Sequence, residues 1–120
     1  MRIMVVEDHR DTRQVLARLL EHWGFEVVTA EDLESSLSFL DVGRFGAIVS
    51  DIALPDGTGY ALIKEAKQRE HDLLGVAVSA YASPNDVSVG RLAGFDHYLT
   101  KPVDCHQLRS ILEQRTQTVS

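Results

Sequence analysis

Residues able to do chemistry stand where apolar runs stop. Glu7 and Asp8 follow Ile3-Met4-Val5-Val6, Asp51 follows Ala47-Ile48-Val49-Ser50, Ser79 ends Gly75-Val76-Ala77-Val78, and Lys101 lies just past Phe95 to Leu99. Three carboxylates brought into one cleft repel one another, and a protein relieves this by raising a pKa or by binding a cation. The donors at the strand ends are oxygens, with no His or Cys among them, which selects a hard cation. Mg2+ suits best, because it accepts a few carboxylates and lets waters complete its octahedron. A vacant position would take a phosphoryl oxygen, with Lys101 as a point charge and Ser79 as a hydroxyl donor for the others. Asp51 is then placed as a nucleophile that forms an acyl phosphate, in a reaction whose main demand is charge neutralisation.

Each feature alone has a bland explanation. A single Asp after a strand is usually a turn residue or a helix cap, and a Glu-Asp pair or a Lys-Pro dipeptide says little. Their weight comes from the elements that must bring them to one sheet edge. Ile3 to Val6 is a continuous apolar run, the mark of a strand covered on both faces. Val15, Leu16, Leu19, Leu20 and Trp23 form a helical stripe that Gly24 ends. Phe25 to Thr29 reads as the second strand, and Leu33, Leu37 and Leu40 mark a helix that stops near Gly43. Ala47 to Ser50 is the third strand, with Pro55 and Gly57 punctuating the turn after it. Leu62, Ile63 and Ala66 carry the third helix and Gly75 to Ser79 the fourth strand. Ser83-Pro84 starts a weak fourth helix, where Val87, Val89 and Leu92 make a thin stripe that Gly90 interrupts. Phe95 to Leu99 is the fifth strand. Asp104 with Gln107 resembles a capping box ahead of Leu108, Ile111 and Leu112, and Thr116 to Ser120 reads as a polar tail.

Strands thus alternate with helices along 1–120, the pattern of one doubly wound α/β domain with a parallel sheet. Ligands of such sheets bind outside the carboxyl ends of the strands, at the topological switch point. For strand order 2-1-3-4-5 that point lies between the first and third strands, and Glu7, Asp8 and Asp51 become neighbours.

Composition narrows the function. The formal net charge of −6 argues against nucleic-acid binding by this domain, which would need a basic face. The single cysteine, Cys105, permits no internal disulfide and fits a reducing compartment. No apolar run approaches the roughly 18 residues of a membrane span, and Met1-Arg2 leads straight into a strand, as in a chain without a signal peptide. The expected location is the cytoplasm. His9, His22, His71, His97 and His106 show no metal-ligand spacing. His9 reads as a solvated loop residue, Cys105-His106 as a helix start, and Trp23 as packing.

Across its length the chain resembles a response-regulator receiver domain. The resemblance rests on Glu7-Asp8, on Asp51 to Gly59 (Asp-Ile-Ala-Leu-Pro-Asp-Gly-Thr-Gly), on Ser79-Ala80, and on Phe95-Asp96-His97-Tyr98-Leu99-Thr100-Lys101-Pro102. It implies a flavodoxin-like (βα)5 fold and phosphorylation of Asp51 by the phosphohistidine of a histidine kinase or histidine phosphotransfer domain. It also implies Asp8, Asp51 and the Ala53 carbonyl as Mg2+ ligands, with Glu7 acting through a bound water. Ser79 takes the place of the family's conformational Ser/Thr, Tyr98 that of its aromatic switch, and a cis peptide is implied before Pro102. Phosphorylation adds roughly two negative charges. Ser79 would be drawn toward them, Tyr98 would fill the space it leaves, and the face of the fourth helix, fifth strand and fifth helix would change shape. That face could also carry a dimer.

The Leu-Pro-Asp-Gly-Thr-Gly-Tyr wording is similar in style to receivers of hybrid sensor histidine kinases, whose parent proteins can be membrane-attached. The family often varies at the positions of Ala53 and Tyr81, two residues after Asp51 and Ser79 and near the path of a hydrolytic water. Rival readings are a degenerate receiver serving only protein interaction, an Asp-nucleophile phosphatase, and a mononucleotide-binding module. The phosphatase would want a second Asp where Ala53 stands, and the nucleotide module a Gly-rich loop where Glu7-Asp8-His9-Arg10 stands.

Overall fold

The protein is described here by a computed structural model covering residues 1–118. Five parallel strands form the central sheet: β1 (Arg2–Val6), β2 (Glu26–Ala30), β3 (Ala47–Asp51), β4 (Leu74–Ser79) and β5 (His97–Thr100). They are hydrogen-bonded in the order β2-β1-β3-β4-β5, as expected. The helices are α1 (Arg10–His22), α2 (Leu33–Val42), α3 (Gly59–Arg69), α4 (Pro84–Ala93) and α5 (Cys105–Thr118). None of the helices described is long and apolar enough to cross a membrane.

The period-2 alternation of strand side chains sorts the core into two layers. Ile3, Val5, Ala47, Val49, Val76 and Val78 pack on Leu16 and Leu20 of α1 and on Leu108, Ile111 and Leu112 of α5. Met4, Val6, Ile48 and Ala77 face the other way, onto Leu40, Leu62, Ile63 and Ala66. β1, β3 and β4 are therefore apolar on both faces, which is why they read as unbroken runs. Burying one such Leu or Ile contributes roughly 1.5–3 kcal/mol, so these strands are the rigid part of the molecule and a firm base for what projects from their ends.

Several local readings change. In α1, Leu16 and Leu20 are buried but Val15 is 64% exposed, because the stripe needs only a residue per turn and Val15 lies beyond its edge. In α4, Leu92 is 90% exposed; the buried position is Gly90, not a member of the Val87-Val89-Leu92 stripe. A two-residue antiparallel hairpin, Ala53–Leu54 with Gly57–Thr58, follows β3; it is too short to show a period. Helix α5 runs on to Thr118, with Thr116 Oγ1 donating to the Leu112 carbonyl at 2.7 Å, where a polar tail was expected from 116. Residues 119–120 lie outside the described residues. Asp104 Oδ1 accepts from His106 N and Gln107 N at 2.9 and 3.2 Å, a cap made from one side.

The glycine after α1 and the Ser83-Pro84 start of α4 are as read, while the His9 cap and the Asp86 half of the α4 box are new. Trp23 closes α1 and Gly24 takes the positive φ of 96° that follows it. Ser83 and Asp86 make a reciprocal capping box, with Pro84 at the first position of α4. The Lys101–Pro102 peptide is cis. His9 is exposed and caps α1 by accepting from Thr12 N, Cys105 is exposed at the start of α5, and Trp23 packs on the core with the Arg109 guanidinium 5.5 Å from its ring centroid.

Candidate functional site

The carboxyl ends of β1 and β3 lie side by side, with Val6 paired to Ser50. Glu7 and Asp8 follow β1 directly and Asp51 ends β3, so backbone pairing alone brings the three acids together. One carboxylate oxygen of each lies within 4.8 Å of the others. β4 brings Ser79 and β5 brings Lys101 to the same edge; Lys101 N donates to the Ser79 carbonyl at 2.8 Å. Glu7, Asp8, Asp51, Ser79 and Lys101 thus share one end of the sheet.

The acids differ in environment. Asp8 is exposed. The side chain of Glu7 is 5% exposed and that of Asp51 13%. Lys101 Nζ lies 2.7 Å from Asp51 Oδ2 and 3.0 Å from Glu7 Oε1. Burial raises the Glu7 pKa, the neighbouring Asp51 carboxylate adds to the rise, and Lys101 only partly offsets it. For Lys101, partial burial works against the charge, but its bonds to Asp51 and Glu7 outweigh that and its pKa rises.

Glu7 Oε2 is buried without a hydrogen-bond partner, an expensive state for a carboxylate oxygen. An unpartnered buried oxygen beside two further carboxylates is a donor set suited to a hard divalent cation, and Glu7, Asp8 and Asp51 fit one. Ala53 is held nearby, its N donating to Asp51 Oδ1 at 3.2 Å.

The switch candidates are bonded to the segment after β4. Ser79 Oγ accepts from Tyr81 N at 3.1 Å. Tyr98 is half-buried, and its hydroxyl donates to the Tyr81 carbonyl at 2.7 Å. The backbone of Tyr81 therefore links the Ser79 hydroxyl to the Tyr98 hydroxyl. The Tyr98 ring lies against Gly90, where an added Cβ would come within 2.9 Å of it. The glycine that looks like a defect in α4 is the seat of this ring. Tyr60 of α3 stands beside Tyr98; burial and that neighbour raise its pKa.

Three supporting residues are given no role of their own by the sequence. Arg13 Nη1 donates to the carbonyls of Glu7 and Asp8 at 2.9 and 3.4 Å, fixing the acidic turn from one turn into α1. Asp56 bonds to the first amides of α2. Gly59 opens α3, and a Cβ there would lie 2.4 Å from the Asp51 carbonyl oxygen. A glycine at the first position of a helix is the one hint that could have found it.

Residues 3–113 match the family model of the response regulator receiver domain. An uncharacterized 14.6 kDa protein of Leptolyngbya boryana is 36% identical over 116 residues, covering 95% of this chain and 88% of that protein. The two-component response regulator ARR12 of Arabidopsis thaliana is 32% identical over 113 residues, 92% of this chain but 19% of the regulator. This chain thus spans only a small part of that longer relative. A crystal structure of a response regulator from Burkholderia pseudomallei with a phosphorylated aspartic acid, calcium ion and citrate is similar at TM-score 0.87. It is 25% identical, over 98% of this chain and 69% of that one. With the sheet order, the three clustered acids and the lysine bound between two of them, these matches establish that the chain belongs to the response regulator receiver domain family.

Proposed function

We propose that Asp51 is the phosphoacceptor of a two-component phosphorelay, taking a phosphoryl group from the phosphohistidine of a histidine kinase or histidine phosphotransfer domain. The observation that carries this reading is Asp51 at the end of β3, its carboxylate clustered with Glu7 and Asp8 and bonded to Lys101. An Asp51 oxygen attacks phosphorus in line with the leaving imidazole. The P–O bond forms, the P–N bond breaks, and the imidazole nitrogen keeps the electron pair. Lys101 shifts from the carboxylate to a phosphoryl oxygen, and Ser79 donates its hydroxyl to another.

The cation in this reading is Mg2+, held by Asp8, Asp51 and the Ala53 carbonyl, with Glu7 acting through a water. When bound it supplies charge neutralisation for the incoming phosphoryl group. The phosphorylated aspartic acid and calcium ion in the Burkholderia pseudomallei regulator support phosphorylation of an aspartate in a protein that also takes a divalent ion. The output is the face of α4, β5 and α5. Ser79, drawn to the phosphate, pulls on the Tyr81 segment and so on the Tyr98 hydroxyl bonded to it. This face is also the expected site of any dimer. The domain itself binds neither nucleic acid nor membrane, and the parent protein works in the cytoplasm or on its membrane side.

The test is intact-mass measurement after incubation with acetyl phosphate and Mg2+. The wild type gains one phosphate and Asp51→Asn gains none; equal gain in both would overturn the assignment. Absence of any gain in the wild type would leave a receiver used only for protein interaction.

A further inference from the structure

The hairpin after β3 is fastened to a helix remote in sequence. Asp56, at its tip, directs both carboxylate oxygens at the start of α2: Leu33 N donates to Oδ1 at 2.8 Å and Glu34 N to Oδ2 at 3.0 Å. The next amide, Ser35 N, is taken by Asp32 Oδ1 at 2.8 Å. Two acids thus divide the first three free amides of α2, and Asp56 takes two of them. A carboxylate at a helix N-terminus is favoured by those amides and by the helix dipole. The fit is also steric, since a Cβ on Gly57 would lie 2.5 Å from Leu33 Cδ2. With any larger residue at 57 the Leu33 side chain would have to move aside.

The segment so fastened leads back to the acidic cluster. Gly57 pairs with Leu54 and Thr58 with Ala53 across the hairpin, and Ala53 N bonds to Asp51 Oδ1. From Asp56 to Asp51 there are therefore only the hairpin rungs. At the far end, Gly59 N donates to the Ile52 carbonyl at 2.8 Å and Thr58 caps α3. The base of the hairpin is held by β3 and α3, and its tip by Asp56.

We propose that Asp56 is a positioning residue: by clamping the hairpin to the start of α2 it holds the Ala53 carbonyl beside Asp51, and so sets the affinity of the site for its divalent cation. This rests on the reading of Ala53 as a metal ligand. Asp56 touches neither metal nor phosphate; it acts through the backbone between.

The test titrates the full chain with Mg2+ by calorimetry and follows amide hydrogen exchange at Leu33 and Glu34, comparing wild type, Asp56→Asn and Asp56→Ala. Loss of an outer partner weakens metal binding by roughly 10–100-fold, and for an exposed clamp we expect the low end, about tenfold, in Asp56→Ala. Exchange at Leu33 and Glu34 accelerates in the same variant. Asp56→Asn keeps one acceptor oxygen and falls between, and it carries the test alone if the alanine variant does not fold. Faster exchange with unchanged Mg2+ affinity would reduce Asp56 to a cap of α2 and overturn the proposal. A wild type that binds no Mg2+ would overturn the metal reading, and the positioning role with it.

Discussion

Lys101 Nζ is bonded to Asp51 Oδ2 at 2.7 Å and also reaches Glu7 Oε1 at 3.0 Å. A single ammonium therefore answers two carboxylates that are almost closed off from water. Breaking a buried ion pair by removing one partner costs roughly 3–5 kcal/mol. Lys101 is 29% exposed, so Lys101→Ala is expected to lower stability by about 1–3 kcal/mol in the absence of metal. Mg2+ should recover part of that loss, because it replaces the missing charge. The Lys101 pKa lies above its ordinary 10.5, so its contribution is complete below that value and is lost only as pH rises past it. Urea titrations with and without Mg2+ check this. Phosphorylation should slow by about 10²–10³-fold, as when one charge-stabilising donor is removed elsewhere; an intact-mass time course at the wild-type rate would refute the role.

Glu7 gives the site a pH dependence of definite sign. Its pKa in the fold is raised above the ordinary 4.5, so folding favours its protonated form. Its contribution is present below 4.5 and is lost as pH rises through the raised value. Where Glu7 is ionised and no metal is bound, its charge is a liability. Glu7→Gln should therefore gain stability relative to the wild type as pH rises from 4.5, with the gap flattening once Glu7 is fully charged. Addition of Mg2+ should narrow the gap from the wild-type side. Chemical denaturation of both proteins across this range measures it, and a gap that widens toward acid pH would reverse the sign.

Ala53 bears on the lifetime of the phosphoryl group. Its exposed methyl offers no hydrogen bond to a water approaching an acyl phosphate on Asp51. General-base or positioning help is typically worth 10²–10⁴-fold, so without it hydrolysis should be slow. Phosphorylated wild type with Mg2+ and no partner is expected to persist for minutes or longer, followed by mass spectrometry after removal of the donor. A half-life of seconds would mean that another group positions the water.

How much of this is legible in the sequence depends on the range of the interaction. β1, β3 and β4 are readable because both faces are buried, so Ile3 to Val6, Ala47 to Val49 and Leu74 to Val78 run without a polar side chain. The acidic cluster is readable once the strand order is assumed, because strand pairing places Glu7 beside Asp51. What escapes is whatever is settled between distant segments. Asp56 reads as a turn residue, while its partners lie more than 20 positions upstream. Arg13 reads as one more charge on a helix. Val15 and Leu92 read as core, yet the helices carrying them have other positions to bury. Gly90 reads as a flaw in α4, because single-residue propensity takes no account of a ring supplied by β5.

Gly90 permits a decisive measurement of that last point. Alanine is favoured over glycine inside a helix by about 1 kcal/mol. A Cβ at position 90 would stand 2.9 Å from Tyr98 Cδ2 and 3.1 Å from Cε2, and overpacking of this kind costs about 1–3 kcal/mol. The second effect is the larger, so Gly90→Ala should destabilise the protein by about 1 kcal/mol. In a Tyr98→Ala background the obstruction is gone, and the same change should stabilise by about 1 kcal/mol. The coupling of about 2 kcal/mol between these positions is what a double-mutant cycle reads. Gly90→Ala should also displace the Tyr98 hydroxyl from the Tyr81 carbonyl, visible as a shift of the Tyr98 ring resonances. Additive effects with unmoved resonances would mean that the ring does not depend on this glycine. The route from Ser79 through Tyr81 to α4 would then lose its last link.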